Sequence, residues 1–271
     1  MLRSAKSVSV IVPTRNEVEN IVPLVSQIVA TGVPLCEILF VDNDSTDGTR
    51  DVIRSLASNH PIRFIEQDRT KPGLAAAIIA GAEVADGEFL LTMDADLSHP
   101  PDRINDLLAP LLAGTADLVI GSRYVDGGST MGWPLWRRML SRAGSALAYP
   151  LTGIHDSMCG FFAVTRTRLL EIAPSATGFK IVFETIVRSR SSLRVREIPI
   201  AFQNRVRGRS KMSFGIAVLF FCQWLMAVFR CAVRRRKVQE DSKCRPHHQD
   251  HHIVEPPPPE RACAGGTAPK S

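Results

Sequence analysis

The sequence predicts an α/β fold in which a mostly parallel sheet is flanked by helices. Short apolar runs, typical of strands buried on both faces, alternate along the chain with segments of helical periodicity. Steady alternation of this kind implies parallel strands joined by right-handed crossovers, with helices on both faces of the sheet. The 271 residues suffice for one large domain of this class with appendages.

The first elements follow from local signals. A buried strand is predicted at 7–13, where the run SVSVIVP ends in a proline. A helix is predicted at 17–30, because its apolar residues recur at helical spacing and Gly32 follows it. The apolar run at 37–41 predicts the second strand, and the segment 49–58 after the next polar turn predicts the second helix.

The same alternation continues along the chain. Further strands are predicted at 62–65, 88–93, 117–121 and 160–164, and further helices at 73–85, 102–112 and 134–150. Gly73 and the pair Pro100-Pro101 mark the starts of two of these helices. Residues 195–203 alternate between apolar and polar side chains as an edge strand does, and Pro199 fits that role.

The C-terminal part of the chain changes character twice. Residues 213–233 are almost wholly apolar, and a helix of this length spans about 31 Å, close to the thickness of a membrane's hydrocarbon core. Basic residues continue to 237, so 213–237 is predicted as a membrane-associated helix that spans the membrane or lies in its interface, with a buried core helix as the alternative. Residues 238–271 are rich in His and Pro and predict a disordered tail, which leaves 1–212 as the main domain.

The charge and the cysteines limit which partners and which cellular compartment the sequence is compatible with. The formal net charge is +6, with basic clusters at 205–211 and 230–237. Neither cluster lies on a known nucleic-acid-binding pattern, so we expect no nucleic acid and favour anionic lipid or phosphate as the partner. The six cysteines lack Cys-x-x-Cys spacing, which indicates a reducing compartment. Because a signal-peptide pattern is absent, we expect the main domain to lie on the cytoplasmic side, with the helix at 213–237 associating the protein with the membrane.

The segment Asp94-Ala95-Asp96 comes directly after the strand predicted at 88–93. Two carboxylates at this spacing form a compact oxygen-ligand site for a hard divalent cation. Open α/β sheets bind ligands at the carboxyl ends of their strands, and a metal there suits a diphosphate. On its own the pattern is weak, because Asp-x-Asp also occurs in solvated turns.

Other loops at the same predicted edge carry polar side chains. The loops at 14–17 and 42–48 are acidic, which suits hydrogen bonds to ribose hydroxyls and base nitrogens. Lys71 precedes a helix N-terminus at Gly73, a combination that favours anions. Arg123 follows another predicted strand and adds a fixed positive charge.

A set of ordered sequence blocks now identifies a resemblance. The blocks are VSVIVPTRNEVENI, FVDNDSTDGT, MDADLSHPP, VIGSRYVDGG, WRRMLSRAGSAL, GFKIVFE and FQNRVRGRSKM. They cover roughly residues 7–212 and resemble family 2, GT-A-fold glycosyltransferases, in particular the dolichyl (polyprenyl) phosphate mannosyltransferases. The resemblance implies a GT-A nucleotide-diphospho-sugar transferase fold for the catalytic domain at 1–212, followed by the membrane-associated helix.

The resemblance also implies roles for individual residues. The nucleotide sugar would be bound by Pro13, Arg15, Glu17, Asp42, Asp44, Asp94, Ser98 and Glu184, with Glu184 facing the sugar. The catalytic residues would be Asp96, Arg123 and Lys211, and Asp94 and Asp96 would hold Mg²⁺ or Mn²⁺. The phosphates would also be contacted by Arg137, Arg138, Lys180 and Arg205. Arg15 stands where relatives usually carry Tyr, and Ser98 where they usually carry Gln.

The implied activity is metal-dependent, inverting transfer of a hexosyl group, mannose from GDP-mannose, to a polyprenyl (dolichyl) phosphate. This acceptor is a phosphate monoester and is largely ionised at pH 7, so it needs no strong general base. Two alternatives stay open: a polyprenyl-phosphate glucosyltransferase that uses UDP-glucose, and a nucleotide-sugar-binding module without turnover. A polybasic membrane adaptor is disfavoured, because it gives no reason for the Asp pair.

Overall fold

A mostly parallel sheet forms the centre of the protein in a computed structural model, which describes residues 7–174, 180–189, 192–204, 224, 225 and 228. The strands are β1 (Val8–Thr14), β2 (Leu35–Asp42), β3 (Ile62–Glu66), β4 (Phe89–Thr92), β5 (Leu118–Ser122), β6 (Ser129–Thr130), β7 (Phe162–Thr165), β8 (Val195–Pro199) and β9 (Ala201–Phe202). The helices are α1 (Val18–Ala30), α2 (Thr49–Leu56), α3 (Leu74–Val84), α4 (Ile104–Leu112), α5 (Leu135–Thr152), α6 (Arg166–Ile172) and α7 (Ile181–Ser189), with a 3₁₀ turn at Pro101–Arg103.

Within the described residues, seven strands form one sheet in the order β3-β2-β1-β4-β7-β5-β8. Neighbouring strands are parallel except at β7, which runs antiparallel to both β4 and β5. Helix α3 packs on β1 and β2, and α4 packs on β4, β5 and β7. The predicted α/β fold is confirmed. The direction of β7 was not predicted, because an apolar run identifies a buried strand but not the way it runs.

Strands β1 and β2 end side by side, with Thr14 opposite Asp42. Strand β1 is buried along its length except at the half-buried Pro13. Its β-branched side chains favour the extended backbone, and each large apolar side chain buried on the sheet contributes about 1.5–3 kcal/mol. Because β1, β2, β4 and β5 point the same way, the loops that follow them lie at one edge of the sheet.

The segment predicted as one edge strand at 195–203 is divided in two. Strand β8 is the edge strand, as predicted, and it ends at Pro199, opposite Ser122. The N–H of the next residue, Ile200, still donates to the carbonyl oxygen of Ser122 at 2.9 Å, so the proline, which has no N–H, is accommodated on the open edge without loss of a bond to β5. The chain then leaves the large sheet, and β9 pairs with β6 in a separate two-stranded sheet, with Thr130 opposite Phe202. The prediction of one continuous strand was therefore wrong.

The membrane-associated helix predicted at 213–237 lies almost wholly outside the described residues. Of this segment Trp224, Leu225 and Val228 are described, and all three are helical. The Trp224 indole N–H donates a hydrogen bond to the carbonyl oxygen of Leu147 in α5 at 2.8 Å. In the described part of the chain, no helix combines the length and the apolar character that crossing a membrane requires. The predicted C-terminal tail lies outside the described residues.

Gly87, in the turn before β4, is packed directly against β1. Its N–H donates to Ser9 Oγ at 2.9 Å, and a Cβ at this position would lie 2.5 Å from the Ser9 nitrogen. We expect Gly87→Ala to lower the free energy of unfolding by about 1–3 kcal/mol, because backbone atoms must move to make room. Urea denaturation followed by circular dichroism measures the change.

The matched control is Gly144→Ala in α5, where an added Cβ meets no heavy atom within 4 Å outside the local helix backbone. Alanine is the better helix former, so this variant should be unchanged or gain up to about 1 kcal/mol. Equal stability of the two variants would contradict the packing described for Gly87.

Candidate active site

The loops that follow β1 and β2 are joined by hydrogen bonds. The N–H of Asn16 donates to Ser45 Oγ at 2.8 Å, and its Oδ1 accepts from the Thr46 N–H at 2.8 Å. The N–H of Glu17 at the start of α1 donates to Thr49 Oγ1 at the start of α2, at 2.9 Å. These contacts make one continuous surface of two loops that are far apart in sequence.

Three predicted nucleotide contacts lie in the first of these loops. Pro13 and Glu17 are half-buried, and Arg15 is exposed. The Glu17 Oε2 atom accepts a hydrogen bond from Asn20 Nδ2 at 2.8 Å, which holds the carboxylate against the first turn of α1. The structure therefore brings these three side chains to the same edge as the second loop.

The acidic side chains of the second loop are paired with arginines. The buried Asp42 carboxylate accepts, through Oδ2, from the Ser45 N–H at 3.0 Å and from Arg50 Nε at 2.7 Å. Asp44 accepts from Arg50 at 3.3 Å and from Arg69 at 2.8 Å. In the described residues, Asp42 Oδ1 is buried without a hydrogen-bond partner. A buried acceptor of this kind requires a donor, which the N–H groups of a nucleotide base can supply.

The loop after β4 holds the Asp94–Asp96 pair in a tight turn that includes Leu97 at a φ of 60°. Asp96 is buried, and its Oδ1 accepts from the Ser98 N–H at 3.0 Å and from Ser98 Oγ at 2.6 Å. The N–H of Asp94 donates to His99 Nδ1 at 3.0 Å, while the Asp94 side chain is 37% exposed. Asp96 is thus fixed inside its own loop, and Asp94 reaches the surface.

This pair fits a hard divalent cation such as Mg²⁺ or Mn²⁺, because such ions prefer oxygen ligands. Among the residues that the structure describes, no group of three or more His, Cys, Asp or Glu side chains is placed to hold a metal ion. Magnesium is commonly bound by one or two carboxylates together with the phosphates of a substrate, not by a cage of protein ligands alone. The two carboxylates therefore suit a cation whose remaining ligands come from a diphosphate.

His99 and Cys159 lie buried beneath this loop, with the Cys159 sulfur 4.0 Å from His99 Nε2. Burial lowers the pKa of His99, although the charges of Asp94 and Asp96 act in the opposite direction. Burial also raises the pKa of the Cys159 thiol to about 12. Both groups are therefore neutral at pH 7, so Cys159 is not a thiolate nucleophile.

Arg123, directly after β5, is bound to Asp156 through three hydrogen bonds. Its Nε and Nη2 donate to the two carboxylate oxygens at 2.7 Å each, and its backbone N–H donates at 2.9 Å. Both residues are buried. Burial alone would lower the pKa of Arg123, but the hydrogen bonds and charge of Asp156 outweigh this effect and raise it. Arg123 stays charged, and Asp156 compensates much of its charge.

A cavity of about 270 Å³ lies beside this pair and is lined by Arg123, Arg138, Arg142 and residues 128–131. Because Asp156 compensates Arg123, the net positive charge of the cavity comes chiefly from Arg138 and Arg142 on α5. Arginine forks match the geometry of phosphate oxygens. The size and charge of this cavity, called here the phosphate cavity, suit a phosphate group.

The remaining predicted phosphate contacts have different surroundings. The Arg137 guanidinium lies 4.0 Å from the centroid of the Trp133 ring, a cation–π contact. Arg205 and Lys211, with the rest of their basic cluster, lie outside the described residues.

Lys180 and Glu184, one helical turn apart, have separate partners. Lys180 Nζ donates to the carbonyl oxygen of Met158 at 3.1 Å. Burial lowers the pKa of Lys180, and the nearby charge of Arg123 lowers it further. The Glu184 carboxylate pairs with Arg188 on the next turn of α7. The structure thus brings Lys180 to the loop beside Arg123 and places Glu184 in an ion pair within α7.

The loop that follows β4 and carries Asp94 and Asp96 (residues 93–99) is called here the metal loop. A larger cavity of about 570 Å³ lies next to it, between Thr31, Leu97, Asn105 and Gln203. Its lining is mostly neutral and includes neither the carboxylate pair nor an arginine. The charged groups that suit a nucleotide sugar and a phosphate lie elsewhere, so this cavity is not assigned to the site.

Sequence reasoning missed two residues of the site and the contact made by a third. Asp156 lies 33 positions from Arg123, and no local sequence pattern predicts that the two residues pair. Arg142 follows Arg138 by one helical turn, so the helical spacing of basic residues could have identified it. His99 was not among the predicted site residues, because its hydrogen bond with the Asp94 N–H depends on a turn that the sequence does not specify.

We expect Asp156→Asn to lower the free energy of unfolding by about 3–5 kcal/mol, because the buried Arg123 charge loses its compensating carboxylate. The control is Glu171→Gln, which breaks a surface pair with Arg168 whose side chains are 62% and 41% exposed. That change should cost less than about 1 kcal/mol. Urea denaturation measures both, and an Asp156→Asn protein as stable as the control would refute the energetic role of the pair.

Comparison with known proteins identifies the family. Residues 9–189 match the model of the family described as glycosyl transferase family 2. The chain is 38% identical to a dolichol-phosphate mannosyltransferase of Pyrococcus furiosus over 76% of this chain, and it spans only 59% of that protein's length. It is 38% identical to an undecaprenyl-phosphate mannosyltransferase of Micrococcus luteus, over 80% of this chain and 93% of that protein. It is 33% identical to a dolichol-phosphate mannosyltransferase of Saccharomyces cerevisiae, over 82% of this chain and 86% of that protein.

Solved structures share the fold. Glucosyl-3-phosphoglycerate synthase from Mycobacterium tuberculosis, in complex with phosphoglyceric acid, superposes with a TM-score of 0.66 at 21% identity, over 83% of this chain and 81% of that one. The same enzyme with Mn²⁺, UDP-glucose and phosphoglyceric acid gives a TM-score of 0.65 at 21% identity, over 83% of this chain and 80% of that one. At this identity the likeness shows the fold alone. Because the family model matches more than half of the chain, the chain belongs to glycosyl transferase family 2 and is a glycosyltransferase of the GT-A fold.

Proposed function

We propose that this glycosyltransferase moves a mannosyl group from GDP-mannose to a polyprenyl (dolichyl) phosphate, with inversion at the sugar carbon and with Mg²⁺ or Mn²⁺ bound. The observation that carries the proposal is the arrangement along one sheet edge. The Asp42 loop follows β2, the Asp94–Asp96 pair follows β4, and the phosphate cavity lies after β5. The names of the Pyrococcus and Micrococcus relatives support mannose as the sugar and a lipid phosphate as the acceptor.

The first two loops suit the nucleoside half of the donor. The Asp42 Oδ1 atom, which has no hydrogen-bond partner among the described residues, can accept from a base N–H. Arg50 and Arg69 both contact Oδ1 of Asp44, and this carboxylate can also accept from a ribose hydroxyl. Because Arg50 and Arg69 compensate these carboxylates, the surface does not repel the diphosphate that must lie next to it.

The chemistry needs positioning and charge compensation more than proton transfer. An oxygen of the acceptor phosphate attacks the anomeric carbon, and the bond from that carbon to the diphosphate oxygen breaks. The phosphate monoester is already largely ionised at pH 7, so no general base is required. A bound divalent cation offsets the charge on the departing nucleoside diphosphate. Arg138 and Arg142 hold the acceptor phosphate against the repulsion of the donor phosphates.

The acceptor's polyprenyl chain stays in a lipid bilayer, and α5 has an exposed apolar face that can bind to the surface of such a bilayer. Leu135, Trp136, Met139 and Leu140 are 68%, 65%, 63% and 52% exposed, and their spacing puts them on one side of the helix. Arg142 follows on the same helix, and apolar side chains combined with arginines favour an anionic membrane surface.

The same helix lines the phosphate cavity, so attachment through α5 would put that cavity next to the lipid headgroups. The free thiols of Cys36 and Cys159 support placing the catalytic domain on the cytoplasmic side.

Incubating the full chain with Mn²⁺, a polyprenyl phosphate and radiolabelled GDP-mannose or UDP-glucose tests the proposal. We expect label to enter the organic phase from GDP-mannose. Transfer from UDP-glucose alone would favour the glucosyl alternative, and nucleotide binding without transfer from either donor would favour a module without turnover.

The control variant for this assay is Asp96→Asn, which keeps the size of the side chain and an oxygen to accept from Ser98 but removes the charge. Transfer should fall by roughly two orders of magnitude, because a negative ligand of the cation is lost. Full activity in this variant would remove Asp96 from the metal site.

The phosphate cavity generates a separate prediction. Replacing Arg138 or Arg142 by Gln should raise the KM for the polyprenyl phosphate about tenfold per residue, the equivalent of about 1.4 kcal/mol for a lost charge-assisted hydrogen bond. The KM for GDP-mannose should stay near the wild-type value, because these residues line the cavity after β5, whereas the nucleotide loops follow β1 and β2, on the other side of β4 in the sheet. Arg168→Gln on the surface of α6 is the matched control. Parallel increases in both KM values would show that the cavity is not specific to the acceptor.

A further inference from the structure

His99 lies beneath the carboxylate pair and is 1% exposed. Its Nδ1 accepts a hydrogen bond from the backbone N–H of Asp94 at 3.0 Å. A ring nitrogen accepts only when it carries no proton, so this hydrogen bond assigns a neutral imidazole with its proton on Nε2. The Nε2 side of the ring faces the sulfur of Cys159 at 4.0 Å. It is therefore the acceptor nitrogen of His99, and not its charge, that contacts the metal loop.

The hydrogen bond between Asp94 and His99 lies directly after the last bond that pairs β4 with β1. The N–H of Met93 donates to the carbonyl oxygen of Ile11 at 3.2 Å, in continuation of the pairing between β4 and β1. The next N–H, that of Asp94, donates to His99 instead. The chain then turns back through Leu97, whose φ is 60°. His99 thus fixes the backbone at the point where it leaves the strand to form the turn.

The ring itself has little freedom to move. It is stacked on Phe161 with a centroid separation of 5.2 Å and an interplanar angle of 16°. It also meets Phe202 edge to face, at 5.3 Å and 79°. Phe161 immediately precedes β7 and Phe202 belongs to β9, so two separate elements hold the acceptor nitrogen in place.

We propose that His99 is a positioning residue which, through Nδ1, fixes the Asp94 backbone and thereby the direction in which the two metal-binding carboxylates project. This inference rests on the metal site of the proposed function. Ser98 holds the Asp96 carboxylate directly, whereas His99 acts on the main chain of Asp94, so the two residues constrain different ends of the turn. A histidine that only filled the core would affect stability but not the affinity for the cation.

Two substitutions separate these roles. In His99→Asn the side-chain oxygen can stand where Nδ1 stands and accept from Asp94, whereas in His99→Gln the amide reaches the position of Nε2. Both remove the ring from its stack on Phe161, so both should lose similar stability. Mn²⁺ binding in the presence of GDP, measured from the paramagnetic resonance signal of free Mn²⁺, should weaken about tenfold or more in His99→Gln. It should stay close to wild type in His99→Asn.

His155→Gln is the matched control, because His155 is 55% exposed and its Nδ1 lies against Glu197. It should leave Mn²⁺ affinity unchanged. A wild-type protein that binds Mn²⁺, with His99→Asn and His99→Gln equally affected, would overturn the positioning role alone. A wild-type protein that binds no Mn²⁺ in the presence of GDP would overturn the metal site and the positioning role together.

A measurement on the metal-free wild-type protein keeps the inference testable if a variant does not fold. Nitrogen-15 spectra of labelled histidine distinguish the two neutral tautomers, and hydrogen exchange reports protection of the Asp94 amide. We expect the tautomer protonated on Nε2 and a protected Asp94 N–H. A proton on Nδ1, or an unprotected Asp94 amide, would overturn the proposal without reference to activity.

Discussion

The site depends first on the buried ion pair between Arg123 and Asp156. Removing two charges from water is costly, and a buried pair is stable only when the remaining polar groups are also satisfied. Here the carboxylate accepts three hydrogen bonds from Arg123, and the N–H of Asp156 donates to Glu197 of β8 at 2.9 Å. The end of β5, the loop before β7 and the edge strand are joined at this point. That junction sets where Cys159 and Phe161 lie, and so what supports the metal loop from below.

The sheet order arranges charge in the order that a sugar transfer requires. Along the edge from β2 through β1 and β4 to β5, the surface changes from acidic loops compensated by arginine, to the Asp94–Asp96 pair, to the phosphate cavity. Arg50 and Arg69 compensate Asp42 and Asp44 in the first region, while Arg138 and Arg142 leave the last one positive. A donor whose base lies at β2 would therefore present its diphosphate at β4, where a cation can compensate it, with the acceptor phosphate beyond it.

The parts that could be predicted from the sequence are those with local causes. Buried strands end in polar loops, so the positions of Asp42 and Asp94 at one edge follow from the alternation of apolar runs and helices. The direction of β7, the small sheet of β6 and β9 and the partner of Arg123 all depend on contacts between distant segments. Asp156 illustrates the difference, because its role exists only once the fold has brought it to Arg123 across 33 positions. Pro199 indicates an edge strand, but the change of partner from β5 to β6 after Ile200 depends on a segment about 70 positions away and has no local signal.

The two-stranded sheet connects the two halves of the proposed site. Thr130 of β6 lines the phosphate cavity and pairs with Phe202 of β9. Phe202 touches the ring of His99, and the next residue, Gln203, donates its N–H to the carbonyl oxygen of Ser98 at 3.1 Å. One short strand therefore contacts both the wall of the cavity and the turn that carries the carboxylates. Direct displacement requires the attacking oxygen and the anomeric carbon to be held at a defined separation, and misplacement by about 1 Å is costly. Because the segment 201–203 is hydrogen-bonded to Met131 beside the cavity and to Ser98 in the metal loop, it ties the position of the cavity wall to that of the carboxylate pair.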